Sequence, residues 1–487
     1  MVWPDQTPDR WRPHGIQEGN TDMVDIDRRA FVRASGAGLL TVLGAAKPSL
    51  ASAATAGTVG INHVRSVIAV TRVYGSGQKF VAITIEYDAP IVDAHLSKAA
   101  FEVAGRIVTG VHTSDAPDGK PKPSGRYVIV ELSIADAAGA LWVTTEGGGG
   151  PAGSGSGGPG AGSSPPFGSG GPQVGDSTPG GTIKRATASV TQRTTIVTTD
   201  GTLYRGSGTA VTTNRALNLI VDEFRPFTFQ DPGTGRTLRY NLFVPRDYDP
   251  AKSYPLVLFM HDAGVVNVPA KGPLVQGLGA VCWASPEDQA KHPCFVVAPE
   301  YPEVVISNAY RPSSYFEATV NLAHWLTREY SIDRRRVHAT GQSMGAMLAL
   351  GMNVRHPGWL ASSYIVAGQW QPDQCKPLAK AKLWIVVPED DSYAYPTEDE
   401  MMGIVAKQGT KISRATWNGR ATEREFAADV ARMEAKGRVI NYAAFKKGTV
   451  FPRGATNTGG GSGHMDTWHI AYDIPGIRDW IMRQSSR

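Results

Sequence analysis

Cysteine is scarce: three residues in 487, Cys282, Cys294 and Cys375, with no C-x-x-C pair among them. That spacing excludes a cysteine-based zinc site. Cys282 and Cys294 would suffice for one disulfide in an exported chain; buried apolar thiols are the equal alternative, and an odd count leaves at least one thiol free. A membrane-spanning run is missing too, since the mild apolar stretch from Ala34 to Ala46 is too short and too small-sided for a permanent anchor. Although the formal charge is +5, the lysines and arginines are scattered and form no basic stripe interleaved with aromatics. Nucleic acid is therefore excluded as a partner class.

Residues 1–53 read as an export signal: Arg28-Arg29 followed by Phe31 resembles a twin-arginine signal, and Ala51-Ser52-Ala53 offers a small-residue cleavage site. The leader before it is long, which leaves Met1 and Met23 both open as starts. From Ile61 to Leu132 short β-rich runs alternate with turns: Ser66 to Tyr74, Phe80 to Tyr87, Phe101 to Thr109 and Tyr127 to Leu132. This spacing predicts a small β-sandwich over residues 54–222, completed by the β-rich stretch Thr182 to Val211. Residues 147–181 interrupt it with almost pure Gly, Ser and Pro, a composition that reads as a flexible insertion. Beyond Asp222 to Pro226 the pattern becomes β-α-β. Tyr240 to Val244, Leu256 to Met260, Phe295 to Ala298, Val337 to Thr340 and Leu383 to Val387 read as buried strands, and Tyr315 to Tyr330 as an amphipathic helix. Residues 223–487 are thus expected to form an α/β domain with a doubly wound, mainly parallel sheet.

In such a sheet chemistry sits at the carboxyl ends of the strands. Gly341-Gln342-Ser343-Met344-Gly345 lies between a strand-like and a helix-like run, and glycine on both sides permits the sharp turn that presents a serine hydroxyl to a base. Ser343 is the candidate nucleophile. Leu256 to Met260 runs into His261-Asp262-Ala263-Gly264, a turn whose backbone N–H groups at Asp262 or Ala263 would join that of Met344 in stabilising an oxyanion, with the His261 side chain structural. Leu383 to Val387 runs into Pro388-Glu389-Asp390-Asp391, which supplies an acid at either aspartate. After it only His464 and His469 remain as bases; His464 follows the turn Gly459 to Gly463, which suits a loop reaching over the sheet, whereas His469 sits where packing or capping is commoner. A metal cluster of His464, Asp466 and His469 lacks a further ligand of suitable spacing.

These residues resemble a known group, bacterial esterases in which an immunoglobulin-like domain precedes an α/β-hydrolase domain, related to polyhydroxybutyrate depolymerase-like and feruloyl-esterase-like enzymes. The resemblance is carried by Tyr240 to Pro245, Phe259 to Gly264, Trp283-Ala284-Ser285, Ala298 to Tyr301, Gly341 to Gly345, Asp391 with Ala394-Tyr395-Pro396, and His464 to Trp468. It implies a triad of Ser343, Asp391 and His464, with Asp391 taken over Asp390, and a carboxylic ester of small or polymeric kind as substrate, cleaved without cofactor or metal. The Gly-rich insertion and Pro388 depart from the pattern. Two other readings stay open: a serine peptidase, since the group includes members labelled so, and a non-catalytic binder of a polymer or cell wall, which an intact Ser343, Asp391 and His464 argues against. Trp283, Tyr301, Trp370 and Trp468 are candidates to line the substrate pocket, with core packing the commoner role for each except Trp370, which follows the strand-like run Ser363 to Ala367 and so would face the cleft.

Overall fold

The computed structural model describes residues 62–144, 172–456 and 458–486. The export signal at 1–53 and the insertion from 147 to 171 lie outside them.

Val64–Tyr74 and Gly77–Val92 form a long hairpin, and with Ser124–Leu132, Val108–Ser114 and Arg215–Asn218 they make a five-stranded sheet. A three-stranded sheet of Ala210–Thr212, Ser189–Gln192 and Phe101–Val103 completes the sandwich. Between them lie Val67, Ala69, Ile83, Ile85, Val128, Val130 and Val190, the inward half of each period-two alternation. The expected strand Phe101 to Thr109 is two strands. A turn closed by the Arg106 N–H on the Val103 carbonyl at 3.1 Å breaks it after Val103.

The second sheet has nine strands: β1 (Arg225–Gln230), β2 (Thr237–Phe243), β3 (Tyr254–Met260), β4 (Phe295–Glu300), β5 (Ile332–Gln342), β6 (Ser362–Val366), β7 (Leu383–Pro388), β8 (Ile412–Trp417) and β9 (Ile440–Phe445). Their order is β1-β2-β4-β3-β5-β6-β7-β9-β8. β1 and β2 pair antiparallel, β2 runs antiparallel to β4, and all other neighbours are parallel. Both faces are covered. In β3, Leu256, Leu258 and Met260 belong to one core while Val257 and Phe259 belong to the other; in β7, Leu383, Ile385 and Val387 separate in the same way from Trp384 and Val386. Two-sided burial replaces alternation with continuous apolar runs, which is why these strands are easily read. The edge strand β1 has one buried residue in six and carries little such signal.

Besides short helices at Gly272–Val275, Leu278–Val281 and Pro286–Lys291, the described residues form α1 (Tyr315–Glu329), α2 (Met344–Arg355), α3 (Ala394–Lys407), α4 (Glu423–Glu434), α5 (Gly460–Ala471) and α6 (Ile477–Met482). None among the described residues is long and apolar enough to cross a membrane. The sandwich is packed on this domain: Val73 belongs to one of the two cores flanking the large sheet, and Trp142 and Ile183 pack against that same core. The flexible-insertion reading is corrected for residues 172–181. Gly175 and Asp176 exchange backbone hydrogen bonds with Val304 at 3.0 and 2.7 Å, and Gly181–Ile183 is a strand paired with Trp142–Thr144. All three cysteines are buried free thiols, so Cys282 and Cys294 are not bridged.

Candidate active site

β5 ends at Gln342, and the chain then reverses through Ser343 into α2. Ser343 holds φ 52° and ψ −119°, a backbone conformation that side-chain-bearing residues rarely adopt. It is held there by its own N–H on the Val366 carbonyl at 3.1 Å and by its carbonyl, which accepts from Met347 at 2.9 Å. Two residues on, Gly345 lies so close to β3 that a Cβ there would fall 1.9 Å from the Met260 carbonyl oxygen. The hydroxyl-bearing side chain stays partly exposed while Met344 beside it is buried.

The turn after β3 is built from its own side chains. Asp262, buried, accepts the Gly264 N–H on Oδ1 at 2.8 Å and the Gln342 amide on Oδ2 at 3.2 Å. Burial pushes its carboxyl above the ordinary range, against those hydrogen bonds. The Val265 N–H is taken by the Asp262 carbonyl at 3.2 Å. Among the described residues of this turn, the N–H groups of Asp262 and Ala263 have no acceptor, nor has that of Met344. His261 is wholly buried: Nδ1 donates to the Asp262 carbonyl at 2.7 Å and Nε2 accepts the Tyr301 N–H at 3.0 Å, which fixes the neutral tautomer. Burial lowers its pKa to about 4.

After β7 the two aspartates part. Asp390 Oδ2 accepts the Gly448 N–H at 2.7 Å, while Asp391 turns inward, its Oδ2 lying 2.5 Å from His464 Nδ1 and its Oδ1 accepting the N–H groups of Tyr393 and Ala394 at 3.0 and 2.8 Å. Burial alone would raise the Asp391 carboxyl, yet the His464 ring and the two amides outweigh it and hold the acid below its ordinary value. His464 stands on α5, not on a loop. The glycine run opens the helix because Gly463 lies against Asp390, whose Cβ a side chain would approach to 2.7 Å. No hydrogen bond joins Ser343 to His464 in the free protein, as is common before substrate tightens such contacts.

Of the four aromatic pocket candidates, Trp283, Tyr301 and Trp370 have no exposed surface and belong to the cores, the commoner of the two roles for Trp283 and Tyr301 and a correction of the cleft-facing reading of Trp370. Trp283 Nε1 donates to the Gly279 carbonyl, Trp370 Nε1 to Gln374, and the Tyr301 hydroxyl bonds Thr319. Trp468 is half-buried, one helical turn past His464, and its ring centre lies 5.3 Å from the His464 ring. His469 Nδ1 lies 3.5 Å from Asp466, and among the described residues no three ligand-type side chains are placed to hold a metal. One group escaped the sequence reading. Glu398, wholly buried on α3, accepts the Gly368 N–H at 3.2 Å; burial and then the Asp391 charge push its carboxyl well up. A glutamate one turn beyond Ala394 carries no sequence signal of burial.

Two measurements check this geometry. Gly345→Ala should cost about 3 kcal/mol or more, because its nearest neighbour is backbone that cannot step aside; an unchanged melting temperature would contradict the close approach. For His261, the unfolded chain takes up a proton near the usual pKa of about 6.5 while the folded ring stays neutral down to about 4. Stability therefore falls as the pH is lowered from about 6.5 to about 4. The stability margin of wild type over His261→Gln should narrow between pH 7 and 4 in urea titrations, and a constant margin would sink the assignment.

Against solved structures, the chain is similar to a thermostable esterase at 24% identity and a TM-score of 0.69, over 87% of this chain and 100% of that one. It is also similar to a ferulic acid esterase of the anaerobic fungus Anaeromyces mucronatus (14%, TM-score 0.31, covering 52% and 91%) and to a feruloyl esterase module of Clostridium thermocellum (14%, 0.32, covering 52% and 88%). No curated protein sequence matches the chain. Residues 66–205 match the family described as the esterase Ig-like N-terminal domain. The chain thus joins an esterase Ig-like N-terminal domain to a second domain with the α/β-hydrolase fold.

Proposed function

We propose that the chain is an exported serine hydrolase cleaving carboxylic esters, with Ser343 as nucleophile, His464 as base and Asp391 as the acid that orients it. The observation that carries this reading is the pairing of buried Asp391 with half-buried His464, 2.5 Å apart, at the end of the same sheet whose β5 presents Ser343 on a strained turn.

His464 Nε2 takes the hydroxyl proton as Ser343 Oγ attacks the ester carbonyl, while Nδ1–H stays on Asp391, which fixes the tautomer and stabilises the ring once charged. The two amides already bound to Asp391 Oδ1 keep that carboxylate ionised and pointed at the ring. Negative charge gathers on the former carbonyl oxygen. The unpaired N–H of Met344 faces it from one side and that of Ala263 or Asp262 from the other, each such donor being worth about 3 kcal/mol in the transition state. The alkoxide leaves with the proton from His464, and water, activated by the same ring, releases the acid and restores Ser343. The chemistry requires neither metal nor cofactor. The match of residues 66–205 to an esterase-associated domain favours an ester over an amide.

With p-nitrophenyl esters of C2 to C12 acids, Ser343→Ala and Asp391→Asn should each lower turnover by about 10⁴-fold while the folded melt is retained. Amide cleavage without ester cleavage by the intact protein would replace this reading with a peptidase. An ester rate that survives Ser343→Ala would end it.

Export by the twin-arginine route is part of the proposal, supported by Arg28-Arg29, Phe31 and the small-residue site at Ala51-Ser52-Ala53. Replacing both arginines by lysine should hold the protein inside the cell, and unchanged export would refute the route.

A further inference from the structure

The turn proposed to hold one oxyanion donor is tied both to its own domain and to a segment that comes from the sandwich side. Only Ala263–Val265 has regular structure, a single helical turn, and beyond it Asn267 takes φ 54° before the chain returns to the core at Val268. From within, it is held by Asp262 on Gly264 and Gln342, by the Asp262 carbonyl, which accepts from Val265 and His261, and by the Asn267 N–H on the Tyr301 carbonyl at 2.9 Å. From without, it meets the segment 173–180, which arrives from the Gly, Ser and Pro-rich part of the chain.

That segment touches the turn and its neighbour at four points. The Gly180 N–H donates to the Gly264 carbonyl at 2.8 Å, and the exposed Asn267 side chain donates through Nδ2 to the Ser177 carbonyl at 3.1 Å. Gly175 donates to the Val304 carbonyl at 3.0 Å, and Val304 donates back to the Asp176 carbonyl at 2.7 Å. The next residue, Val305, donates to the Met344 sulfur at 3.3 Å, so the second contact reaches the residue bearing the other proposed donor. The segment is itself tethered, because it leads directly into the strand Gly181–Ile183, and Ile183 and Trp142 pack on the catalytic core.

We propose that residues 173–180 act as a strap that positions the oxyanion turn, with Asn267 as the positioning residue through which the strap fixes it. This rests on the serine-hydrolase reading above. The Ala263 donor plane is held from within through the Asp262 carbonyl, and the strap holds the far side of the same turn, at the Gly264 carbonyl and at Asn267, so that the turn as a whole cannot shift away from Met344. The consequence is specific to the chemical step. Misplaced donors lose charge stabilisation that exists only in the transition state, so kcat falls while substrate binding is kept.

The test uses the mature protein and a p-nitrophenyl ester. Asn267→Gly removes the side-chain donor yet accommodates the positive φ, and Gly180→Pro removes the other donor. Each alone should lower kcat about threefold and the double variant about tenfold, with KM within about twofold. Hydrogen exchange across residues 262–268 should accelerate, and melting should stay within about 2 °C. Because Asn267 is exposed, the single variant still decides the matter if the proline variant fails to fold. Faster exchange with wild-type kcat, or a rise in KM alone, overturns the strap's role. A rate that survives Ser343→Ala overturns the hydrolase reading and the strap with it, whereas loss of rate in Ser343→Ala beside an unchanged Asn267→Gly overturns only the strap.

Discussion

Everything at the reactive end of the large sheet depends on one backbone contact, Gly345 against the carbonyl of Met260. It brings the start of α2 onto the end of β3, so the strained serine and the turn after β3 are placed by a single approach. Main chain against main chain has no rotamers to vary, so the spacing is set more firmly than any pair of side chains would set it. Strain at Ser343 persists because the surrounding sheet over-determines it: the β5–β6 ladder, the Val366 carbonyl and the buried α2 all fix the same corner.

The acid side is built differently, from charge rather than from contact. Asp391 is buried, which opposes ionisation, and is then supplied with two amides and an imidazole that favour it. Glu398, equally buried, receives one amide, and burial and the Asp391 charge push its carboxyl well up. Two buried carboxyls are thus shifted in opposite directions, Asp391 down by its imidazole and amides and Glu398 up by burial and the Asp391 charge, a difference set by surroundings and not by residue type.

The sequence disclosed what chemistry and two-sided burial impose. The G-x-S-x-G turn, the continuous apolar strands β3 and β7 and the acid turn that follows β7 were legible because each needs residue types that few alternatives supply. Asp390 and Asp391 were not separable by type; only the direction of the chain past Pro388 decides which one meets His464. The helix α5 was hidden because its opening glycines are poor helix formers, and the cause, a close approach to Asp390, is tertiary. The aromatic candidates stayed between core and pocket for a related reason. Trp283, Tyr301 and Trp370 resemble ligand contacts in composition, while their burial is decided by segments far away in sequence.

The unbridged cysteines carry one last implication. Burial pushes Cys282 and Cys375 up to about 12 and Cys294 higher still, so all three are held as thiols, not thiolates, at any physiological pH. A protonated, inaccessible sulfur neither attacks a disulfide nor accepts an oxidant. The described fold is therefore closed without a covalent cross-link, by packing and hydrogen bonds alone.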